Sequence, residues 1–340
     1  MVSAIVGAFT KKSVCSFGNL NGYVGTAITL LRVTSTTQLA VLEVGIDAPK
    51  AMASHMKMIK PDLAILTNIG LEHLNKLKNL KTVADEELEV FKAVDERGGT
   101  LIVNLDDRII AKRHEAYSRA RKIFYSLSAS APVRGCVRGR VVRPGLVQIK
   151  FPDRRSMNLW SLMHGTQNAQ NLVAAVAFGY ALNIPSATIR AGLARFRPPP
   201  FRSEMHRHGS CEIIADLYNA HPSSMRASLS DFSSSKTRKK KIAILGDMLD
   251  LGRQTISEHQ KLATALRATR AHQVLLVGPA MKHAHARGTG RNSLHFANKK
   301  ELIRHLSNAD LANSQILIKG SRAMALEEVM EFVKSVKAPK

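Results

Sequence analysis

Cysteines, acids, aromatics and long apolar runs are all scarce in this sequence. Its three cysteines, Cys15, Cys136 and Cys211, stand alone, which argues against a disulfide framework or a Cys-x-x-Cys metal site and fits a reducing interior. No run of eighteen apolar residues occurs, and residues 1–10 (MVSAIVGAFT) have no basic flank ahead of their apolar stretch. Neither a membrane-spanning helix nor a secretory leader is therefore expected. Also missing is a Gly-x-x-x-x-Gly-Lys-Ser/Thr loop, whose main-chain amides and lysine grip a nucleotide's phosphates. Residues 7–12, GAFTKK, lack that spacing and do not replace it.

What is present is an ordinary apolar content of 45% over 340 residues, enough for two cored domains. Against 26 Asp+Glu stand 50 Lys+Arg, a net charge of +24 that attracts polyanions or acidic substrates at long range. The excess is spread over both halves, 13 in residues 1–200 and 11 in 201–340. Two stretches stand out: residues 108–155, with thirteen Lys/Arg against Glu115 and Asp153, and SSSKTRKKK at 233–241. Each reads either as solvated surface or as a nucleic-acid footprint. Few aromatics accompany them (Tyr117, Phe124, Tyr125, Trp160), so such contacts are expected to be mostly to phosphate.

Short β-branched runs alternate with longer amphipathic stretches, the pattern of a parallel sheet with crossover helices. Strands are expected at 38–45, 62–69 and 100–105, with helices near 48–58, 80–96 and 168–183. Residues 135–160 alternate apolar with basic around a Pro-Gly turn and read as an antiparallel insertion or side sheet. Three consecutive prolines in FRPPPFR (196–202) mark a linker, dividing the chain into domains 1–198 and 199–340. Alternation then restarts with strands near 212–218, 241–248, 272–278, 293–298 and 315–320 and helices near 222–232, 256–270, 299–308 and 323–336. The expected class is α/β, two doubly wound domains.

Ligands of open α/β sheets collect beyond the strands' carboxyl ends. Polar residues stand at such places: Glu43, Asn68 with His73, Asn104, Asp106, Asp107, Asp216, Asn219, Asp247 and Asp250. Individually each reads equally as a helix cap or turn former.

As a set they resemble the Mur ligase family from residue 1 to 336. The resemblance rests on GNLNGYVGTAITLLR (18–32), VLEVG (41–45), LTNIGLEHL (66–74), GTQNAQNLVAA (165–175), Arg202 of PPPFR, DLYNAHPSSM (216–225), LGDMLDLG (245–252) with His259, and IKGSRAMALEEV (318–329). GNLN, YNAxP and KGSR are most similar to the members that add D-alanyl-D-alanine to a UDP-muramoyl peptide. The resemblance implies a central and a C-terminal ligase domain, ATP and Mg2+ as cofactors, and a route through an acyl phosphate that an amine attacks. It places Glu43 and His73 on magnesium, Asn168 and Asn171 near adenine, Arg202 and Asp216 on phosphates and ribose, and Asn19 and Asn21 near the peptide substrate. Asn219, Lys319, Ser321 and Arg322 fall on the amine side.

Departures are equally specific. Aligned on GNLN, Met1 falls inside the helix that follows the family's phosphate loop, so that loop and the domain gripping uridine diphosphate are expected ahead of residue 1. Glu87 of ELEVF stands where the family has a lysine, either as an oxygen ligand or as a helix-surface acid; Gln167 replaces a histidine, and Asp250 a glutamate. Two readings follow. One is an amide ligase impaired in the chain as given, cytoplasmic if bacterial. The other is a non-catalytic descendant, without cofactor, contacting RNA or DNA through residues 108–155 and 233–241 in an organellar assembly.

Overall fold

In the computed structural model, which describes residues 1–128, 135–163 and 165–336, the chain forms two compact units. The first comprises residues 1–70, 76–162 and 167–197, and the second 71–75, 163–166 and 198–340. Among the described residues no helix is long and apolar enough to cross a membrane.

The first unit runs α1 (Val2–Phe9), β1 (Ser13–Cys15), α2 (Tyr23–Leu30), β2 (Leu39–Val41), α3 (Ala51–Ile59), β3 (Leu63–Leu66), α4 (Leu74–Leu77), α5 (Leu80–Glu96), β4 (Thr100–Asn104), α6 (Arg108–Arg113), β5 (Arg121–Ser126), β6 (Val137–Arg143), β7 (Leu146–Lys150), β8 (Ser156–Trp160), α7 (Thr166–Ala181) and α8 (Ser186–Arg195). Its main sheet has the order β3-β4-β5-β6-β7-β8, parallel from β3 to β6 and antiparallel from β6 to β8. The expected strand at 38–45 shortens to β2, which pairs only with β1. Continuous burial of Leu101, Ile102 and Val103 follows from helices covering both faces of β4. Small residues let α7 lie close: a Cβ at Gly139 of β6 would stand 2.3 Å from Val173.

Two expectations need correction. Residues 135–160 form no separate sheet, because Tyr125 and Ser126 of β5 pair in parallel with Val137 and Arg138, so the meander continues the main sheet. Nor is the basic stretch surface throughout: β5 within it is an interior strand whose Tyr125 is buried. Residues 129–134 of that stretch lie outside the described residues.

The second unit runs β9 (Glu204–His208), β10 (Cys211–Asp216), α9 (Pro222–Ser234), β11 (Lys240–Gly246), α10 (Thr255–Ala268), β12 (Gln273–Val277), α11 (Met281–Ala286), β13 (Ser293–Phe296), α12 (Lys299–Leu306), β14 (Ser314–Lys319) and α13 (Glu327–Ser335). The sheet order is β13-β12-β11-β14-β10-β9, with only β9 antiparallel. Ile213, Ile244, Leu275, Ile316 and Ile318 build its core, each such side chain stabilising by about 1.5–3 kcal/mol when fully buried. β14 returns between β10 and β11, and this crossover brings its carboxyl end beside those of two strands that precede it by many residues.

Candidate functional site

Parallel register aligns Asp216 of β10 with Lys319 of β14, and Lys319 with Leu245 of β11. The Lys319 Nζ donates to Asp216 Oδ2 at 2.6 Å and to the Asn219 carbonyl at 3.0 Å. Lys319 is only 1% exposed, so its charge is held by these partners and not by water. Ser228 of α9 gives Asp216 Oδ2 a second donor at 3.1 Å. Ser321 donates to the Ala220 carbonyl at 3.4 Å and accepts from the Leu249 amide at 2.9 Å. Asp216, Asn219, Lys319 and Ser321 are thus brought together as one polar edge.

The other expected residues of this unit are engaged nearby. Arg322 pairs with Glu327 at 2.6 Å and lies over the Phe201 ring at 5.2 Å. Arg202 stacks on Tyr218 with its guanidinium carbon 3.9 Å from the ring centroid. Asp247 is buried and accepts from the Ala280 and Met281 amides at 3.1 and 2.8 Å, tying the start of α11 to the end of β11.

Sequence reasoning missed His221 and Glu72. The His221 ring caps α9, its Nδ1 lying 2.9 Å from Ser223 Oγ and 3.4 Å from the Ser224 amide. Its Nε2 lies 3.2 Å from Glu72 Oε1. Burial holds this imidazole below its ordinary pKa; Glu72 opposes that and the Lys319 ammonium adds to it. A histidine directly before the proline that opens a helix was the only local signal.

His259 is buried between backbone partners: Nε2 accepts from the Met248 amide at 3.0 Å, and Nδ1 lies 2.7 Å from the Thr255 carbonyl, which fixes a neutral ring with its proton on Nδ1. Burial lowers its pKa as well. In both histidines the unfolded chain takes up a proton near pH 6.5 and the folded chain does so only at lower pH, so stability must fall as pH drops below about 6.5. Urea unfolding at pH 7.5 and 5.5 should show the lower midpoint at 5.5. His259→Ala should cost about 1–3 kcal/mol through its two orphaned backbone groups and flatten that pH dependence; an unchanged pH profile would contradict the buried neutral ring.

In the first unit Glu43 lies beyond β2, with Oε1 accepting from Asn21 Nδ2 at 3.0 Å and its amide donating to Ser16 Oγ at 2.9 Å. The Asn19 carbonyl accepts from the Asn21 amide at 2.9 Å. Asn168 is buried in the first turn of α7, where Asn171 is exposed, and Glu87 lies on α5. His73 belongs to the second unit's short segment and has a left-handed φ of 52°. The strand-end residues of β4 are structural: Asn104 donates to the Thr67 carbonyl at 2.5 Å, Asp107 caps α6, and Asp106 accepts from Ser126, Leu127 and Gln170.

The described residues hold no group of three or more His, Cys, Asp or Glu able to cage a metal. Mg2+ held mainly by phosphate oxygens and water needs only one or two protein carboxylates, and the exposed, Asn21-held Glu43 is of that kind.

The Mur ligase middle domain matches residues 1–179, and the Mur ligase glutamate ligase domain matches residues 201–322. The UDP-N-acetylmuramoyl-tripeptide--D-alanyl-D-alanine ligase of Buchnera aphidicola is 27% identical over 94% of this chain and 70% of its own length. The Escherichia coli protein of that name is 28% identical over 92% and 69%. Among solved structures, MurF from Acinetobacter baumannii superposes with TM-score 0.86 at 23% identity, covering 98% of this chain and 73% of that one. MurF from Thermotoga maritima in complex with ADP gives 0.82 at 19%, covering 98% and 76%. With both domain families matched in order along one α/β chain, this protein belongs to the Mur ligase family.

Proposed function

We propose that this chain carries the amine-side half of an ATP-dependent carboxylate–amine ligase of the D-alanyl-D-alanine-adding type, impaired as given in nucleotide turnover. The polar edge of the second unit carries this reading: Asp216, Asn219, Lys319 and Ser321, up to 105 positions apart, converge with charges paired. A buried ammonium with polar neighbours suits a dipeptide's carboxylate and amine, and Asn219, Ser321 and Arg322 would orient it.

For the rest, the family pattern assigns Glu43 and His73 to magnesium, Asn168 and Asn171 to adenine, Arg202 and Asp216 to phosphate and ribose, and Asn19 and Asn21 to the muramoyl peptide. Glu87 is assigned as an oxygen ligand or a surface acid. ATP, when bound, supplies the phosphoryl group that activates the carboxylate. The residues given contain no Gly-x-x-x-x-Gly-Lys-Ser/Thr loop, and no phosphoryl-transfer step is derived from them.

Calorimetry of the chain with D-alanyl-D-alanine, and a joining assay with UDP-muramoyl tripeptide, ATP and Mg2+, test both halves. The dipeptide should bind, binding should weaken by about tenfold in Asn219→Ala, which removes roughly one hydrogen bond's worth of affinity, and ATP turnover should stay at background. Absence of dipeptide binding would refute the amine-side reading, and rapid joining would refute the impairment.

A further inference from the structure

The outer face of the β6–β7–β8 meander is a second, unassigned surface. Register places Arg138 opposite Lys150, Arg140 opposite Gln148 and Arg143 opposite Leu146 on β6–β7, with Ser156, Asn158 and Trp160 continuing those three rows on β8. The inner face packs Val137, Gly139, Val147, Ile149, Met157 and Leu159 into the core; alternation turns Arg140, Lys150, Ser156, Asn158 and Trp160 outward, and a register shift between Val141 and Arg143 leaves Arg143 exposed with them. No strand of the meander carries an acid; Asp153, in the β7–β8 turn, is paired with Arg155 at 2.7 Å. Trp160, the only tryptophan, is 60% exposed, with the Arg143 guanidinium over its ring at 4.9 Å.

We propose that this face binds single-stranded nucleic acid, with Arg140, Arg143 and Lys150 on phosphates and a base stacked on Trp160. Charge alone fits any polyanion. An exposed indole set among cations additionally fits a ligand that alternates charge with flat π surfaces, which an acidic peptide does not. The placement of Trp160 adds a stacking contact to the expectation of contacts mostly to phosphate. It also separates this face from residues 233–241, where Lys239 bonds the Ser210 carbonyl, Lys240 pairs with Asp310, and Lys241 is buried against three carbonyls. Three cations of that run are therefore already engaged within the fold.

The single tryptophan is the reporter. Titrating the chain with oligouridylate at low salt should quench Trp160 fluorescence saturably. Three phosphate contacts give a slope of log K against log salt of about −2. Arg140→Gln with Arg143→Gln should flatten that slope. Trp160→Leu, followed by anisotropy of a labelled oligonucleotide, should weaken binding on the order of tenfold, as expected for one stacked base. These side chains are exposed, so the variants should keep the parent's circular dichroism. No binding at low salt would overturn the proposal. So would binding that leaves Trp160 unquenched and survives the double variant, because it would place the contact elsewhere; equal quenching by heparin would overturn the stacking component.

Discussion

Lys319→Met is expected to lower the unfolding free energy of the second unit by about 3–5 kcal/mol, because removing one partner of a buried ion pair leaves the other charge uncompensated. With the ammonium gone, Asp216, whose side chain is 16% exposed, would keep only the Ser228 hydroxyl among the described residues, and the Asn219 carbonyl would lose its Lys319 donor. Methionine nearly matches the lysine stem in length, so the loss reads electrostatics more than a cavity. The double variant Lys319→Met/Asp216→Leu should recover most of it, since replacing both charges by apolar groups is often neutral. Two units need not unfold together. Trp160 lies in the first unit, so urea unfolding should be followed by circular dichroism and by fluorescence in parallel, with only the former shifting. A loss below 1 kcal/mol, or a double variant no better than the single, would show that the pair is not desolvated. Dipeptide binding should be lost in both variants, which distinguishes the ligand-side role of Lys319 from its structural one.

The second large effect belongs to Lys241→Met, expected to cost about 2–4 kcal/mol. Its Nζ donates at 2.8 Å to the carbonyls of Phe232, Ser233 and Ser235, at the end of α9. There the unpaired carbonyls and the negative end of the helix dipole favour a cation. Hydrogen bonds involving a charged group contribute about 1.5–3 kcal/mol each in mutational series; they share one ammonium and are not additive, so the total is held below their sum. The midpoint of the second unit's denaturant transition measures it. Oligonucleotide affinity in folded Lys241→Met should be unchanged. A stable variant with weakened oligonucleotide binding would instead make Lys241 a surface cation and return 233–241 to the nucleic-acid face.

Much of the fold was legible because strands buried on both faces have to be apolar throughout. β4, β10, β11, β12 and β14 announced themselves as short β-branched runs, and Asn79 and Asp107 fit the residues that start helices. β5 was hidden because its outer residues, Arg121 and Lys122, made an interior strand resemble a charge cluster. The edge strand β9, EMHRH, was hidden because antiparallel pairing on one side demands little apolar content. The meander's turn was read correctly, yet its membership of the main sheet depends on two residue pairs between β5 and β6 that no local pattern encodes.

For the site, sequence supplied the residue types and their order along the chain: a lysine and an aspartate at strand ends, an asparagine in the following loop, a serine after the last strand. Those are local properties, set by strand periodicity and by turn chemistry. Which of them share charge was decided by β14 entering between β10 and β11, a crossover that put Lys319 103 residues and one hydrogen-bonded strand away from Asp216. The same tertiary placement made Lys241 a buried helix cap and left Trp160 in water among arginines. Burial and partners belong to the assembled sheet, and they, more than residue identity, determine whether a cation serves the fold or a ligand.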